Sequence, residues 1–502
     1  MVVFFFLLQY SAGFVIGDPD GYYHAKAAQL IYQHVLSMNF PWLAFTTWSS
    51  GYADQHYLYH LLLYPFSSLR LLPYSVVLFS TLATMSFIWL LKQLQVRHVW
   101  LWTIFFLVGS ADFLFRINLV KANTLSLIIL FACIALLSPS PYPLPPGERD
   151  KGRGRYWALF VLSFIFVWVY GGFVFLPVVV GAYVFLETLY QKKLVLRPLL
   201  YCLSGIILGL ILHPQFPNIV SQLYYQIFQA GLGSGGAVAV GREWGPYELT
   251  NFLQTNVFVF ILWLFAFALF FRRLWQKISL RATELWLFVL SLFFFALALK
   301  SRRFAEYWVP FAVLFSAYSI SPYFVQLNWA DVKNKLRDTW QLQAAAVVLV
   351  LALGTMAWQN VNLVNNYLKQ AASTTLYKGA SHWLLNNSWP GQIVFNTSWD
   401  QFPQLFYYNN RNYYIVGLDP TFMYLHDAQL YFQWRQISDD KVTDLKNAEI
   451  YHTLKFNFRS SYLLLENKRN PNLKLKLDNA ATEQAHFSIV YNDGAVTVYK
   501  LQ

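Results

Sequence analysis

The chain has 502 residues, of which 57% are hydrophobic, 19% aromatic and only 12% charged, with a formal net charge of +13. Soluble domains carry about 25% charged residues, so the composition excludes an ordinary soluble protein and calls for lipid as solvent. The Lys and Arg fall between apolar runs and form no single stripe, which excludes a nucleic-acid partner and fits membrane topology.

Taken in chain order, the first apolar run, 1–16, lacks a basic leader and a small-residue cleavage site, and reads as a span rather than a cleaved signal. A helix needs about 20 apolar residues to cross a bilayer core. Further apolar runs at 72–91, 99–110, 122–137, 156–170, 173–190, 198–212, 252–271, 285–299, 304–320 and 344–358 predict eleven spans in all. The pair around Gly171-Gly172 can also be read as one kinked segment. Cys133 and Cys202 lie inside apolar runs and read as packing residues. With the N-terminus cytoplasmic, the loops holding Lys92 and Arg97, Arg149 to Arg155, Lys192 to Arg197, Arg272 to Arg281 and Lys333 to Arg337 all fall inside, as positive charge prefers. The loop 138–155 is rich in Pro and then charge, and reads as a cytoplasmic linker.

The predicted fold class is therefore a polytopic α-helical membrane protein with a small C-terminal extracytoplasmic α/β domain. Residues 1–360 form the transmembrane domain, with long outer loops at 17–71 and 213–251; residues 361–502 form the soluble domain. In that domain 377–385 reads as a short helix. The runs GQIVFN, NYYIVGL, SYLLLE, HFSIVY and AVTVYKL read as strands, with a turn at Asn492-Asp493-Gly494.

Candidate chemistry gathers at the outer ends of the spans. Asp18 and Asp20 stand two apart where the first loop opens, followed by His24. Carboxylates there suit a general base or a divalent cation such as Mg or Mn; a helix cap is the plain alternative. His56 and His60, four apart, share a helix face, a spacing that suits metal, though the interleaved Tyr57 and Tyr59 favour an aromatic belt or substrate contacts. Arg116 and Lys121, Glu243, and Arg302, Arg303 and Glu306 also fall outside. Cations placed there suit a phosphate held at the interface, with headgroup snorkelling as the alternative.

These motifs resemble the GT-C membrane glycosyltransferases, most of all the catalytic subunit of oligosaccharyltransferases. Asp20-Gly21-Tyr22-Tyr23-His24 is similar to that family's first-loop acidic motif, with Lys26 where an Arg often stands. Residues 116–123 resemble its second outer loop, with Asn123 where the family carries a metal-binding Asp. Arg303-Phe304 with Tyr307 resembles its Arg-Phe-x-x-Tyr, and Trp399-Asp400-Gln401-Phe402 its Trp-Trp-Asp-Tyr-Gly signature, with Ser398 in place of the first Trp.

The resemblance implies transfer of a glycosyl group from a polyprenyl-phosphate or -pyrophosphate donor to an outer-face acceptor, whether glycan, lipid or protein, in a plasma or inner membrane. Asp20 and Asp18 would serve as base or metal ligands, and Arg303, Arg302, Arg116 and Lys121 would bind the donor phosphate. Glu243 would position the acceptor, which Trp399, Asp400, Phe402, His56 and His60 would contact. The rival class is a transporter or an assembly scaffold for a surface glycan. A transporter places ionisable residues at the bilayer midplane, whereas here the middles of the spans are almost free of charge.

Overall fold

The computed structural model describes residues 1–34, 38–138, 156–232, 238, 241–278, 280–326, 329–371, 373–483 and 486–502. All of the proposed 138–155 linker except Ser138 lies outside them. The chain divides into two compact units. One comprises Met1–Phe14, Tyr74–Leu212 and Glu243–Gln370; the other comprises Val15–Pro73, His213–Arg242 and Ala371–Gln502.

The first unit is helical. Among the described residues, five helices are long and apolar enough to cross a membrane: Leu72–Gln93, Gly171–Gln191, Leu249–Trp275, Ala282–Lys300 and Trp340–Lys369. A sixth span results if Val99–Val108 and Ala111–Ile117, which meet at 83°, are counted together. The chain is an integral membrane protein by these helices, but the expected eleven spans are not reached.

Several apolar helices are too short to span, and two of the expected breaks have a local cause. The Ser110 side chain accepts the Phe113 N–H at 3.1 Å and starts a new helix in another direction. Tyr170 is fully extended (φ −164°), so Tyr156–Val169 stops before the Gly171-Gly172 pair rather than running through it. A Cβ on Gly172 would meet the Tyr170 ring at 2.5 Å, so this close approach requires glycine. Val2–Ala12, Asn123–Leu137, Tyr156–Val169 and Arg197–Ile211 are apolar but short.

Lys92, Arg97, Arg273 and Arg281 line one cavity of about 840 Å³. Two loops that the charge pattern assigned to one membrane face therefore share a face.

The second unit is built on a five-stranded sheet in the order β2-β1-β3-β5-β4: β1 Ile393–Asn396, β2 Tyr413–Tyr414, β3 Ser460–Glu466, β4 Phe487–Asn492 and β5 Val496–Leu501. β1 runs parallel to β2 and β3, while β5 is antiparallel to β3 and β4. Each expected strand forms, and Gly494 takes the left-handed turn (φ +86°) between β4 and β5. Side chains alternate across the sheet. Tyr462 and Leu464 enter one core with Val394, Val496 and Val498; Leu463 and Leu465 enter another with Phe395, Tyr499 and Leu501.

The first of these cores also takes in Tyr23, Ala27 and Leu30, one face of the helix Asp20–Tyr32, and Phe40, Trp42, Trp48 and Tyr52. Trp42 Nε1 donates to the Asn410 carbonyl at 2.6 Å, and Leu43 bridges Tyr414. The stretch 17–71, a loop by sequence position, is thus folded onto the sheet by its aromatic residues.

Candidate functional site

In the first unit, an ion cluster gathers four of the predicted residues. Arg116 sits in the last turn of Ala111–Ile117, where a cation suits the helix C-terminus, and Glu306 in the first turn of Ala305–Gln326, where an anion suits the N-terminus. Arg116 Nε donates to Glu306 Oε2 at 2.8 Å and its Nη1 to Glu243 Oε2 at 3.0 Å. Lys121 Nζ lies 4.0 Å from the same Glu243 oxygen, and an Arg303 Nη1 lies 3.6 Å from Glu243 Oε1. Partial burial favours the neutral form of Glu243, but Lys121, Arg116 and Arg303 outweigh it and hold its pKa well below the usual carboxylate range. Inside the cluster, Arg116 Nη2 and Glu306 Oε1 are buried and have no hydrogen-bond partner among the described residues.

The cluster has a firm frame. Arg303 donates to the Tyr170 hydroxyl at 3.2 Å and stacks over Trp244 with 4.5 Å to the ring centroid. The segment bearing Glu243 is strapped down by Ser301 Oγ donating to the Glu243 carbonyl and by Arg302 N–H donating to Gly245, both at 3.0 Å. Arg302 thus positions this segment through its backbone. Asn123 donates to Glu306 Oε2 at 3.1 Å, so the amide standing where the resembled family has an Asp meets a carboxylate. Asp112 accepts from Tyr247, Thr255 and Asn256 at 2.6, 2.8 and 3.1 Å and ties the start of Leu249–Trp275 to Ala111–Ile117. Asp112, Tyr170 and Trp244 were missed by the sequence reasoning. Asp112 was the detectable one, an acid in an otherwise apolar run.

The second unit holds the remaining residues. Asp18 Oδ1 accepts the Asp20 N–H at 2.8 Å, so Asp18 supplies the turn that opens the helix Asp20–Tyr32. Both carboxylates are half-buried. Mg binds through one or two carboxylates and keeps waters and substrate phosphate in its shell, so a half-buried pair of acids fits such an ion.

His60 is fully buried in the helix Tyr57–Leu63, with Nδ1 at 2.6 Å from Asp54 Oδ2 and Nε2 at 2.7 Å from His24 Nδ1. With both nitrogens engaged, His60 does not face an acceptor as expected. Among the described residues, His24, His56 and His60 form the group of three metal-ligand side chains.

A cavity of about 210 Å³ is lined by Pro19, Tyr22, Tyr377, Asp400, Glu466 and Arg469. Arg469 grips both oxygens of Asp400 at 2.8 and 3.0 Å, and Tyr377 donates to Glu466 at 2.9 Å. Asp400 therefore reaches a polar hollow. Phe402, expected beside it, is wholly buried against Phe406, Phe40 and Tyr414, so it packs the core and offers no surface. Trp399 is partly buried against the other core.

No protein-family model matches the sequence, and no curated protein matches it. Solved structures do match the fold. The archaeal oligosaccharyltransferase AglB from Archaeoglobus fulgidus, in complex with an inhibitory peptide and a dolichol-phosphate, matches with TM-score 0.62 and 13% identity over 90% of this chain and 66% of that one. An Archaeoglobus fulgidus oligosaccharyltransferase in complex with zinc and sulfate matches with TM-score 0.56 and 11% identity over 97% of this chain and 70% of that one. ArnT from Cupriavidus metallidurans bound to undecaprenyl phosphate matches with TM-score 0.56 and 14% identity over 99% of this chain and 97% of that one. The chain spans only 66% of the AglB length. At such identities the likeness is one of fold alone, shared with oligosaccharyltransferase AglB and with ArnT.

Proposed function

We propose that this protein is a membrane glycosyltransferase that moves a glycosyl group from a polyprenyl-phosphate or -pyrophosphate donor to an acceptor on the outer face of the membrane. The observation that carries this reading is the convergence of Arg116, Lys121 and Arg303 on the single carboxylate of Glu243. Three cations around one anion make a site for a phosphate, and Glu243 stands where the phosphate would sit. The ligands of the structural neighbours, dolichol-phosphate and undecaprenyl phosphate, have that chemistry.

In this mechanism the acceptor attacks the anomeric carbon, the bond from that carbon to the phosphate oxygen breaks, and the phosphate leaves with the electron pair. Arg303 and Arg116 grip the leaving oxygens as planar forks, and Lys121 adds a point charge; together they stabilise the charge as it develops. Asp20 takes the acceptor proton as general base. Asp20 and Asp18 would hold a Mg or Mn ion if one binds, and the ion would supply positive charge beside them. The hollow at Asp400 and Arg469 suits a hydroxyl-rich or peptide acceptor. Glu243, once displaced by the donor, is free to turn to an acceptor group. The outer-face assignment rests on the basic loops at the opposite ends of the spans.

The test is transfer itself. Purified protein in vesicles, given a series of polyprenyl-phosphate sugars and a mixed pool of acceptors, should release free polyprenyl phosphate with at least one donor. Release with none of them, from folded protein, overturns the reading.

A further inference from the structure

We propose that His24, His56 and His60 form a binding site for a zinc-type divalent cation, separate from the carboxylate pair at Asp18 and Asp20. This goes beyond the glycosyltransferase reading and does not depend on it. The three imidazoles offer ligand nitrogens that all lie within 4.8 Å of one another. They come from two helices of one unit: His24 from Asp20–Tyr32, and His56 and His60 from the start and the middle of Tyr57–Leu63. The i, i+4 spacing puts His56 and His60 on one face, and the rings converge with centroids 5.0 to 5.8 Å apart.

The surroundings are those of a metal ligand set. Asp54, itself buried, accepts from His60 Nδ1 at 2.6 Å and from the His56 N–H at 2.9 Å, while Gln215 accepts its backbone N–H. A carboxylate on Nδ1 fixes the proton there and turns Nε2, with its lone pair, toward the centre of the cluster. Metal-ligating histidines are oriented in this way.

Imidazole donors select zinc, cobalt, nickel or copper, whereas Mg and Mn prefer oxygen. The His24–His60 contact of 2.7 Å is a hydrogen bond. Zn–N bonds of about 2.0–2.1 Å in tetrahedral geometry place ligand nitrogens roughly 3.3 Å apart. An opening of about half an ångström therefore replaces the shared proton by the ion. Two of the three ligands are buried and His56 is half-buried, so water or a substrate group can complete the shell at the His56 side.

The experiment uses the full-length protein in detergent, stripped with chelator and titrated with Co²⁺. Wild type should bind one cobalt per chain, by elemental analysis and by intense visible d–d bands, and zinc should displace it. His60→Gln and His24→Gln should abolish the bands. His56→Gln, at the half-exposed position where folding is least at risk, should shift them and weaken binding at least tenfold. Asp54→Asn should weaken cobalt about 10- to 100-fold, whereas Asp20→Asn should leave the bands in place. Folded wild type that takes up no cobalt, or bands that persist unchanged in folded His56→Gln and His60→Gln, would overturn the proposal; so would loss of the bands in Asp20→Asn.

Discussion

Arg116 and Glu306 lie 190 positions apart in sequence and meet at 2.8 Å, both almost wholly buried, in a chain that places few charges away from water. Neither partner is stable there alone. Removing one member of a buried pair leaves the other uncompensated, at about 3–5 kcal/mol. Arg116 keeps Glu243 as a second partner, so Glu306→Ala should cost about 3 kcal/mol. Thermal unfolding in detergent should show a clear drop in Tm, and an unchanged Tm would mean that the pair is not desolvated as found.

The amide of Asn123 is read here as a requirement of that pair. Its Nδ2 donates to Glu306 Oε2 at 3.1 Å. Asn123→Asp would replace a donor by a second anion at hydrogen-bond distance from a carboxylate, and like charges in such a site drive one group to its neutral form. The variant should be less stable at pH 8 than at pH 5, the reverse of a simple loss of a hydrogen bond. Unfolding temperatures of the two proteins across that range decide the matter.

Glu243 should behave as an internal competitor for the donor phosphate. Glu243→Gln keeps the shape and removes the charge, so it should bind polyprenyl phosphate several-fold more tightly while slowing transfer. The pH dependence has a definite sign. The folded pKa of Glu243 is lowered, by cations that outweigh its burial. Its contribution to stability is therefore present above the ordinary Glu value of about 4.3 and is lost as pH falls through the depressed value. The Tm difference between wild type and Glu243→Gln should be level from about pH 5 upward and shrink in acid.

Asp20→Asn separates chemistry from capping. Asp18 supplies the side-chain acceptor for the Asp20 N–H, and Asn caps about as well as Asp in any case. Expression and Tm should stay within about 0.5 kcal/mol of wild type, while transfer should fall by two orders of magnitude or more. Transfer at the wild-type rate in folded Asp20→Asn would remove Asp20 from the mechanism.

How far the sequence reaches can be seen residue by residue. All five strands of the C-terminal sheet were legible, because β-branched and aromatic runs between turn residues carry their own periodicity. Arg116, Lys121 and Arg303 stood out as cations in an apolar context, and the structure brings them together on Glu243.

What was not legible depends on contacts distant in sequence. Glu306, three positions from Arg303, takes Arg116 and Asn123, which are far from it in sequence. The stretch 17–71 carries no strand or long helical pattern, and only the packing of Phe40, Trp42 and Tyr52 on the sheet shows that it belongs there. The expected eleven spans are not confirmed among the described residues, because Val2–Ala12, Asn123–Leu137, Tyr156–Val169 and Arg197–Ile211 are apolar but form helices shorter than a span. His60 read as a belt or substrate contact because its partners, Asp54 and His24, are fixed only by folding.

The most direct measurement is the binding of undecaprenyl phosphate to the purified protein, compared among wild type, Arg303→Lys and Arg70→Lys. Arg303 is braced by the Tyr170 hydroxyl and the Trp244 ring, and its guanidinium can hold two phosphate oxygens where an ammonium holds a point. Arg70 is exposed, and Lys at that position keeps everything a headgroup contact needs. The account predicts saturable binding to wild type and to Arg70→Lys, and binding at least tenfold weaker in Arg303→Lys at equal stability. Equal affinity in all three proteins would contradict it, and the cluster around Glu243 would then be a structural ion network with no donor to bind.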